Sequence, residues 1–275
     1  MSLFRDRGIE IKTPEQVEAM RRAGLVVCST LALLGRSVRP GMSTRELDVL
    51  AEKHIRDAGA TPSFLGYGRP PFPGTICVSV NDEVVHGVPG PRRLIEGDVV
   101  SIDCGAIVDG WHGDAAVTVA VGSVSAAAAD LMRVTEEAMW RGIAAAAVGG
   151  RVGDISAAVE GYVRASGDFG IVADYTGHGI GSAMHQPPTV PNHGRAGKGA
   201  ALVTGLALAV EPMLVAGEPW TSVADDDWTV RTEDGSLAAH FEHTFALTER
   251  GVWVLTAADG GQTKLTELGV PVGRP

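Results

Sequence analysis

Apolar positions along the 275-residue chain fall into two spacings, one helical and one extended. At Val17, Met20, Gly24, Val27, Leu31 and Leu34 the intervals run three, four, three, four, three, the period of one helical face. Thr13-Pro14-Glu15-Gln16 opens this stretch. Thr13 suits an N-cap, Pro14 the first turn, and Gln16 completes a capping box. Ser43-Thr44-Arg45-Glu46 repeats the box and opens a second helix through Leu47, Leu50, His54 and Ile55, closed by Gly59.

The pattern then changes. Residues 61–74 hold four prolines and three glycines and read as an irregular loop. Ile76–Val80 reads as a strand, Asn81-Asp82 as a turn, and Val84-Val85-His86 as its continuation. Val99–Ala106 and Trp111–Val121 form a hairpin across Val108-Asp109-Gly110. An alanine-rich helix over about 125–148 and another over about 154–166 follow, each stopped by glycine. Strands are expected near 169–174, 206–210, 228–233, 238–247 and 252–255. The order helix, helix, strands thus occurs twice, over 13–121 and 125–256, with only Gly122-Ser123-Val124 between. Such a link is too short for independent modules. The chain divides into an arm (1–12), one α/β catalytic domain of two similar halves (13–256) and a tail (257–275).

Composition narrows the class. No apolar run approaches the roughly 20 residues needed to cross a bilayer, and the charged start Met1-Ser2-Leu3-Phe4-Arg5-Asp6-Arg7 lacks a signal peptide's apolar segment. A cytoplasmic protein without membrane contact is expected. The net charge of −10 and the absence of a Lys/Arg run argue against direct nucleic-acid binding. Cys28, Cys77 and Cys104 form no C-x-x-C pair and read as buried thiols.

What does not fit an ordinary core is charge inside the strands. Asp103 sits in Val99-Val100-Ser101-Ile102-Asp103-Cys104, and Asp114 follows eleven residues later across the hairpin. Antiparallel pairing brings such positions close, and two adjacent carboxylates repel unless a proton or cation lies between them. Taken alone, the hairpin also admits one Asp capping a turn and the other facing solvent. Gly177-His178-Gly179 sets a histidine between glycines, where the backbone can approach something closely. Glu211 ends the apolar run Leu206–Val210 before Pro212, and Glu242 is central in Ala239-His240-Phe241-Glu242-His243-Thr244-Phe245. Left bare, buried carboxylates are costly. Four of them with one imidazole make a hard ligand set suited to Mn, Fe(II) or Co. Two such ions can hold and deprotonate a bridging water.

These stretches, with Val80-Asn81-Asp82-Glu83-Val84-Val85-His86-Gly87-Val88-Pro89, Val210-Glu211-Pro212-Met213 and Phe241-Glu242-His243-Thr244, closely resemble the methionine aminopeptidases of type I, bacterial short form, from about residue 13 to 256. The resemblance implies a pita-bread α/β fold, with pseudo-twofold halves and a curved, mainly antiparallel sheet covered by helices. It implies two divalent ions. Asp103 would chelate one, Asp114 and Glu242 would bridge, and His178 and Glu211 would complete the second. A metal-bound hydroxide would attack the carbonyl of the N-terminal methionine of a nascent polypeptide, with Glu211 as base. His185 would bond the carbonyl oxygen and His86 the scissile amide nitrogen. Phe64, Tyr67, Phe72, Cys77, Met184 and Trp228 would line the methionine pocket. Small second residues, a monomer and transient contact with the ribosome are further implications. Met1-Ser2 would make the chain a substrate of its own activity. The chain departs from the family pattern in a slightly longer Phe64–Cys77 loop, in Gly68 where a histidine is often found, and at Ser182-Ala183. The first two bear on the pocket, Phe72 above all.

Two rivals differ in testable features. A proline-specific peptidase of the same fold usually carries an extra N-terminal domain. A catalytically dead binding protein would be expected to have lost a ligand, and here all five are intact. Type II enzymes insert a large segment between the two glutamates, which here are only 31 positions apart (242 − 211).

Overall fold

The computed structural model describes residues 8–274, so most of the expected arm, Met1-Ser2 included, lies outside the described residues. The helices are α1 (Pro14–Ser37), α2 (Thr44–Asp57), α3 (Ala126–Ala144), α4 (Val152–Ser166) and α5 (Gln262–Glu267). The strands are β1 (Thr61–Pro62), β2 (Ile76–Val80), β3 (Glu83–Val85), β4 (Val99–Val108), β5 (Trp111–Ala120), β6 (Gly170–Ile171), β7 (Gly177–Gly179), β8 (Gln186–Val190), β9 (Ala207–Val210), β10 (Met213–Val215), β11 (Thr221–Val223), β12 (Val230–Thr232), β13 (Ala238–His240), β14 (Glu242–Thr248) and β15 (Gly251–Val254).

Both capping boxes form. Thr13 N donates to Gln16 Oε1 at 2.8 Å and Gln16 N to Thr13 Oγ1 at 3.3 Å, and Ser43 and Glu46 repeat the exchange at the start of α2. The apolar face of α1 is buried as its spacing predicts, Val17, Met20, Val27, Leu31 and Leu34 each at 5 % exposure or less. Each half has its own core. Leu31, Leu47, Ile55, Val100 and Ile102 pack α1 and α2 onto β4. Leu131, Ile143, Ile155, Val159, Leu208 and Phe245 pack α3 and α4 onto β9 and β14. Burying each such side chain contributes about 1.5–3 kcal/mol.

One antiparallel sheet of nine strands runs through both halves in the order β1-β4-β5-β14-β9-β7-β8, with β2 added to β4 and β15 to β14. The halves meet where β5 pairs β14, and that ladder is only two residue pairs long, Glu242 with Ala116 and His243 with Ala115. Threonine side chains continue it on both sides. Thr244 Oγ1 donates to Asp114 O at 2.7 Å and accepts from Asp114 N at 3.3 Å. Thr118 Oγ1 donates to His240 O at 2.7 Å and accepts from His240 N at 2.9 Å. The strands diverge at this seam, and hydroxyl groups stand in for the lost backbone partners.

Three readings change. The stretch 238–247 is two strands, because the chain leaves the sheet of β6, β10 and β13 at Phe241 to enter the large one. Strand β8, not among the expected strands, contains Pro187-Pro188, a pair tolerated because β8 ends the sheet order. Within 257–275, read as a tail, α5 buries Leu265 completely and Val272 bridges Val252. A six-residue helix is too short to show a period. The cysteines are free, with Cys77 and Cys104 buried and Cys28 half-buried.

Candidate metal centre and substrate pocket

Five neighbouring strands of the large sheet carry the five donors in spatial order. Asp103 is on β4, Asp114 on β5, Glu242 opens β14, Glu211 follows the last residue of β9, and His178 is the middle residue of β7. Ala116 on β5 is opposed by Asp103 on one side and Glu242 on the other, while Asp114 opposes Gly105. Residues directly opposite, or two apart along a strand, share a face. Asp103, Asp114 and Glu242 therefore converge over the small side chain of Ala116. Val210 opposes His243, which sets Glu211 beside Glu242 where β9 ends.

The donor atoms of Asp114, His178 and Glu242 lie within 4.8 Å of one another, and so do those of Glu211, His240 and Glu242. Asp103 stands outside both triplets, on the strand paired with that of Asp114. Burial pushes the carboxyl groups of Asp103, Asp114, Glu211 and Glu242 up from their ordinary range, and their mutual repulsion pushes Asp114 and Glu242 further. Asp103 Oδ1, Asp114 Oδ1 and Glu242 Oε1 are buried with no hydrogen-bond partner among the described residues. Converging, orphaned carboxylate oxygens beside a neutral imidazole fit a divalent cation.

His178 is prepared for that role. Its Nδ1 lies 3.0 Å from Gly179 O, so Nδ1–H donates there and the Nε2 lone pair is left facing Glu211 Oε1 at 3.4 Å. Burial drops its pKa to about 3, so the ring is neutral. What the flanking glycines approach is the sheet itself. A Cβ on Gly177 would stand 2.3 Å from Ala209 O, and one on Gly179 2.2 Å from Pro187 O.

A cavity of about 240 Å³ opens over the donors, and every residue assigned to the site from the sequence lines it. Phe64, Phe72, Cys77 and Met184 are all buried and, with the half-buried Trp228, form an apolar cluster apart from the two main cores. Phe72 meets Trp228 edge-on at 5.2 Å. Asp226 accepts from the backbone of Trp228 and Thr229, and Thr229 Oγ1 in turn accepts from Val88 N, so the Trp228 turn is tied to the segment after His86. Tyr67 sits at the cavity mouth, its hydroxyl 2.6 Å from His185 Nδ1. The ring of His185 meets that of His178 at 4.3 Å. His86 holds a left-handed backbone (φ 59°), a costly conformation for a non-glycine residue. Burial lowers its pKa to about 4.

The sequence reading missed Tyr175, Thr176, Met213 and His240. The first three line the cavity, with Tyr175 edge-on to His86 at 5.6 Å. His240 is fully enclosed, its Nε2 without a hydrogen-bond partner among the described residues and 3.6 Å from Glu211 Oε2. Its position two before Glu242, on the same side of an extended chain, was the available signal.

Comparison with known proteins gives one family. The model of metallopeptidase family M24 matches residues 18–249. The methionine aminopeptidase of Clostridium acetobutylicum is 48 % identical over 252 residues, which cover 91 % of this chain and 100 % of the relative. The crystal structure of methionine aminopeptidase from Thermotoga maritima superposes with a TM-score of 0.88 at 40 % identity, covering 90 % of this chain and 99 % of that one. The prolidase of Pyrococcus furiosus shares the fold, with a TM-score of 0.73 at 22 % identity and coverage of 93 % and 67 %. The architecture is the pita-bread fold.

Proposed function

The chain belongs to metallopeptidase family M24, and we propose that it removes the initiator methionine from nascent polypeptides, preferring small second residues. It is a methionyl aminopeptidase, a metal-dependent exopeptidase. The observation that carries this reading is the meeting, in one cavity, of an apolar slot (Phe64, Phe72, Cys77, Met184, Trp228) with the five-donor cluster. At about 240 Å³ the cavity is smaller than a drug-sized site of roughly 300–1,000 Å³ and suits a single side chain.

Asp103, Asp114, His178, Glu211 and Glu242 would hold two divalent ions, Mn(II), Fe(II) or Co(II). Such a pair, when bound, lowers the pKa of water enough to supply a nucleophile at neutral pH. The chain's own groups do the rest. The substrate's methionine side chain enters the apolar slot, and its free α-amine sits by Asp103, which restricts cutting to N-termini. Glu211 takes the proton of the attacking water. With the Tyr67 phenol donating to Nδ1, His185 carries its proton on Nε2 and offers it to the carbonyl oxygen as charge develops there. His86 bonds the scissile nitrogen and assists its departure as the amine. Because the substrate leaves the ribosome, cytoplasmic residence and transient ribosome contact belong to the same reading.

The test is apo protein reloaded with Mn(II) or Co(II), its metal content measured, and assayed on Met-Gly-x, Met-Leu-x and x-Pro-x peptides. Cleavage of the first is expected; cleavage of x-Pro-x alone would reject the reading. Asp103→Asn should weaken both metal binding and turnover. His185→Ala should lower kcat by roughly 100- to 1,000-fold with metal affinity retained.

A further inference from the structure

The loop between β7 and β8, residues 180–185, carries both Met184 of the apolar slot and His185. It leaves the sheet ladder at a register shift beside His178. Its backbone bonds are Ile180 N to Ala207 O, Gly181 N to Ala183 O, and one received by Gly181 O from His112 N. Tyr67 holds His185 Nδ1 from the cavity side, Gln186 Nε2 reaches Ser182 Oγ at 3.3 Å within the loop, and two residues of the N-terminal arm grip it from outside. The Glu10 carboxylate accepts from Ser182 N at 3.0 Å, from Ser182 Oγ at 2.7 Å and from Gln186 Nε2 at 2.9 Å. Lys12 Nζ donates to Glu10 O at 2.9 Å and to Gln186 Oε1 at 3.3 Å, and lies 3.5 Å from Glu10 Oε2.

Three features mark this as more than a surface ion pair. The Lys12 side chain is only 1 % exposed, so its charge is buried against these partners. The loop is shaped to receive the pair: a Cβ on Gly181 would stand 2.1 Å from Glu10 Oε2 and 2.4 Å from Lys12 Cε. The arm is itself fixed, since Lys12 N donates to Gly205 O at 2.8 Å just before α1 begins. Burial works against the Glu10 charge, but the bonds from Ser182 and Gln186 and the nearby Lys12 ammonium outweigh it and draw the pKa to about 2. Contacts at 181, 182 and 186 bracket Met184 and His185.

We propose that Glu10 and Lys12 are positioning residues for the peptidase reaction: from outside the cavity they clamp the 180–186 loop and so fix the His185 ring over the reacting carbonyl. This rests on the reading of His185 given above. Neither residue lines the cavity or the metal cluster, so both act through the loop.

The experiment is a double-mutant cycle of Glu10→Ala and His185→Ala, assayed on Met-Gly-x peptides after loading with Mn(II). It is combined with Mn(II) titration calorimetry and hydrogen exchange of the 180–186 amides. Glu10→Ala alone should lower kcat by on the order of 10- to 100-fold, the scale of a displaced catalytic group. Mn(II) affinity should stay within about twofold, and exchange at Ser182 should rise. In the His185→Ala background the same substitution should leave kcat unchanged, since its effect runs through that ring. Glu10→Gln keeps an acceptor for Ser182 and should lose less than Glu10→Ala, and Lys12→Arg, which keeps a cation beside an intact Glu10, should lose less than Lys12→Ala. Multiplicative losses in the cycle, an unchanged kcat in Glu10→Ala, or loss of Mn(II) binding would each overturn the proposal. Faster exchange at Ser182 with no Met-Gly-x cleavage by the parent protein would instead reject the peptidase reading and leave the clamp standing.

Discussion

At the scale of single residues, the site is a set of groups whose protonation is fixed by where they lie. His240 shows this most sharply. It is enclosed, burial holds its pKa below the ordinary imidazole value, and its Nε2 faces Glu211 Oε2 at 3.6 Å while the other Glu211 oxygen faces His178. A neutral ring packed there limits the rotation of that carboxylate by contact rather than by a hydrogen bond. Removing a group that orients a metal ligand costs roughly 10- to 100-fold in metal affinity or activity. His240→Ala should therefore weaken Mn(II) binding on that scale, measured by calorimetry. His240→Gln, whose amide nitrogen can stand near Nε2, should restore most of it. His86 gives a pH prediction. Its folded pKa of about 4 lies below the ordinary value near 6.5, so between these values the unfolded chain binds more protons than the folded one. The contribution of His86 to stability is then fully present above about pH 6.5 and is lost as pH falls through that window toward 4. Urea unfolding of the parent and His86→Gln, compared from pH 7 to 4, should show a smaller loss in the variant. The comparison cancels His112, His178 and His243, which burial also depresses.

At the scale of elements, what could be read in advance is what local chemistry decides. Helices α1 and α2 announce themselves by capping boxes and one apolar face. The Asp103–Asp114 hairpin does so by its turn and by charge set among β-branched residues. Tertiary context decides the rest. Nothing near Phe241 marks it as the point where the chain changes sheets, Pro187-Pro188 hides β8, and His240 reads as an ordinary polar strand residue until Glu211, 29 positions away (240 − 211), is placed against it. Gly177 lies between these cases: the sequence shows that something passes close to it, and only the fold shows that it is Ala209 O of β9. Gly177→Ala should cost about 1–3 kcal/mol as overpacking, read from urea denaturation. Because β7 carries His178, it should also weaken metal binding. A stability loss with metal affinity intact would mean that β7 can shift without moving its ligand.

At the scale of the whole molecule, the donors are also a repulsive seam between the two halves. Asp103 and Asp114 belong to strands of the first half, and Glu211, Glu242 and His178 to the second. They meet where the sheet is joined by two residue pairs and by the hydroxyl groups of Thr118 and Thr244. Without a cation, four buried carboxylates press the halves apart or bind protons; with one, the same groups pull them together. An ion that binds only the folded state adds RT ln(1 + [L]/Kd), about 2.7 kcal/mol at a hundredfold excess over Kd. For a chain of this size each kcal/mol is worth roughly 2–4 °C in Tm, so saturating Mn(II) should raise Tm by about 5–10 °C by scanning calorimetry. Asp114→Asn separates the two roles of the cluster. It removes one of the five proposed donors, so peptidase activity and most of the metal-induced rise should vanish. It also removes one buried charge from the seam, so the metal-free variant should melt above the metal-free parent. Were the apo variant instead to melt below the apo parent, the carboxylates would already be neutral without metal, and protons rather than cations would be what holds the seam.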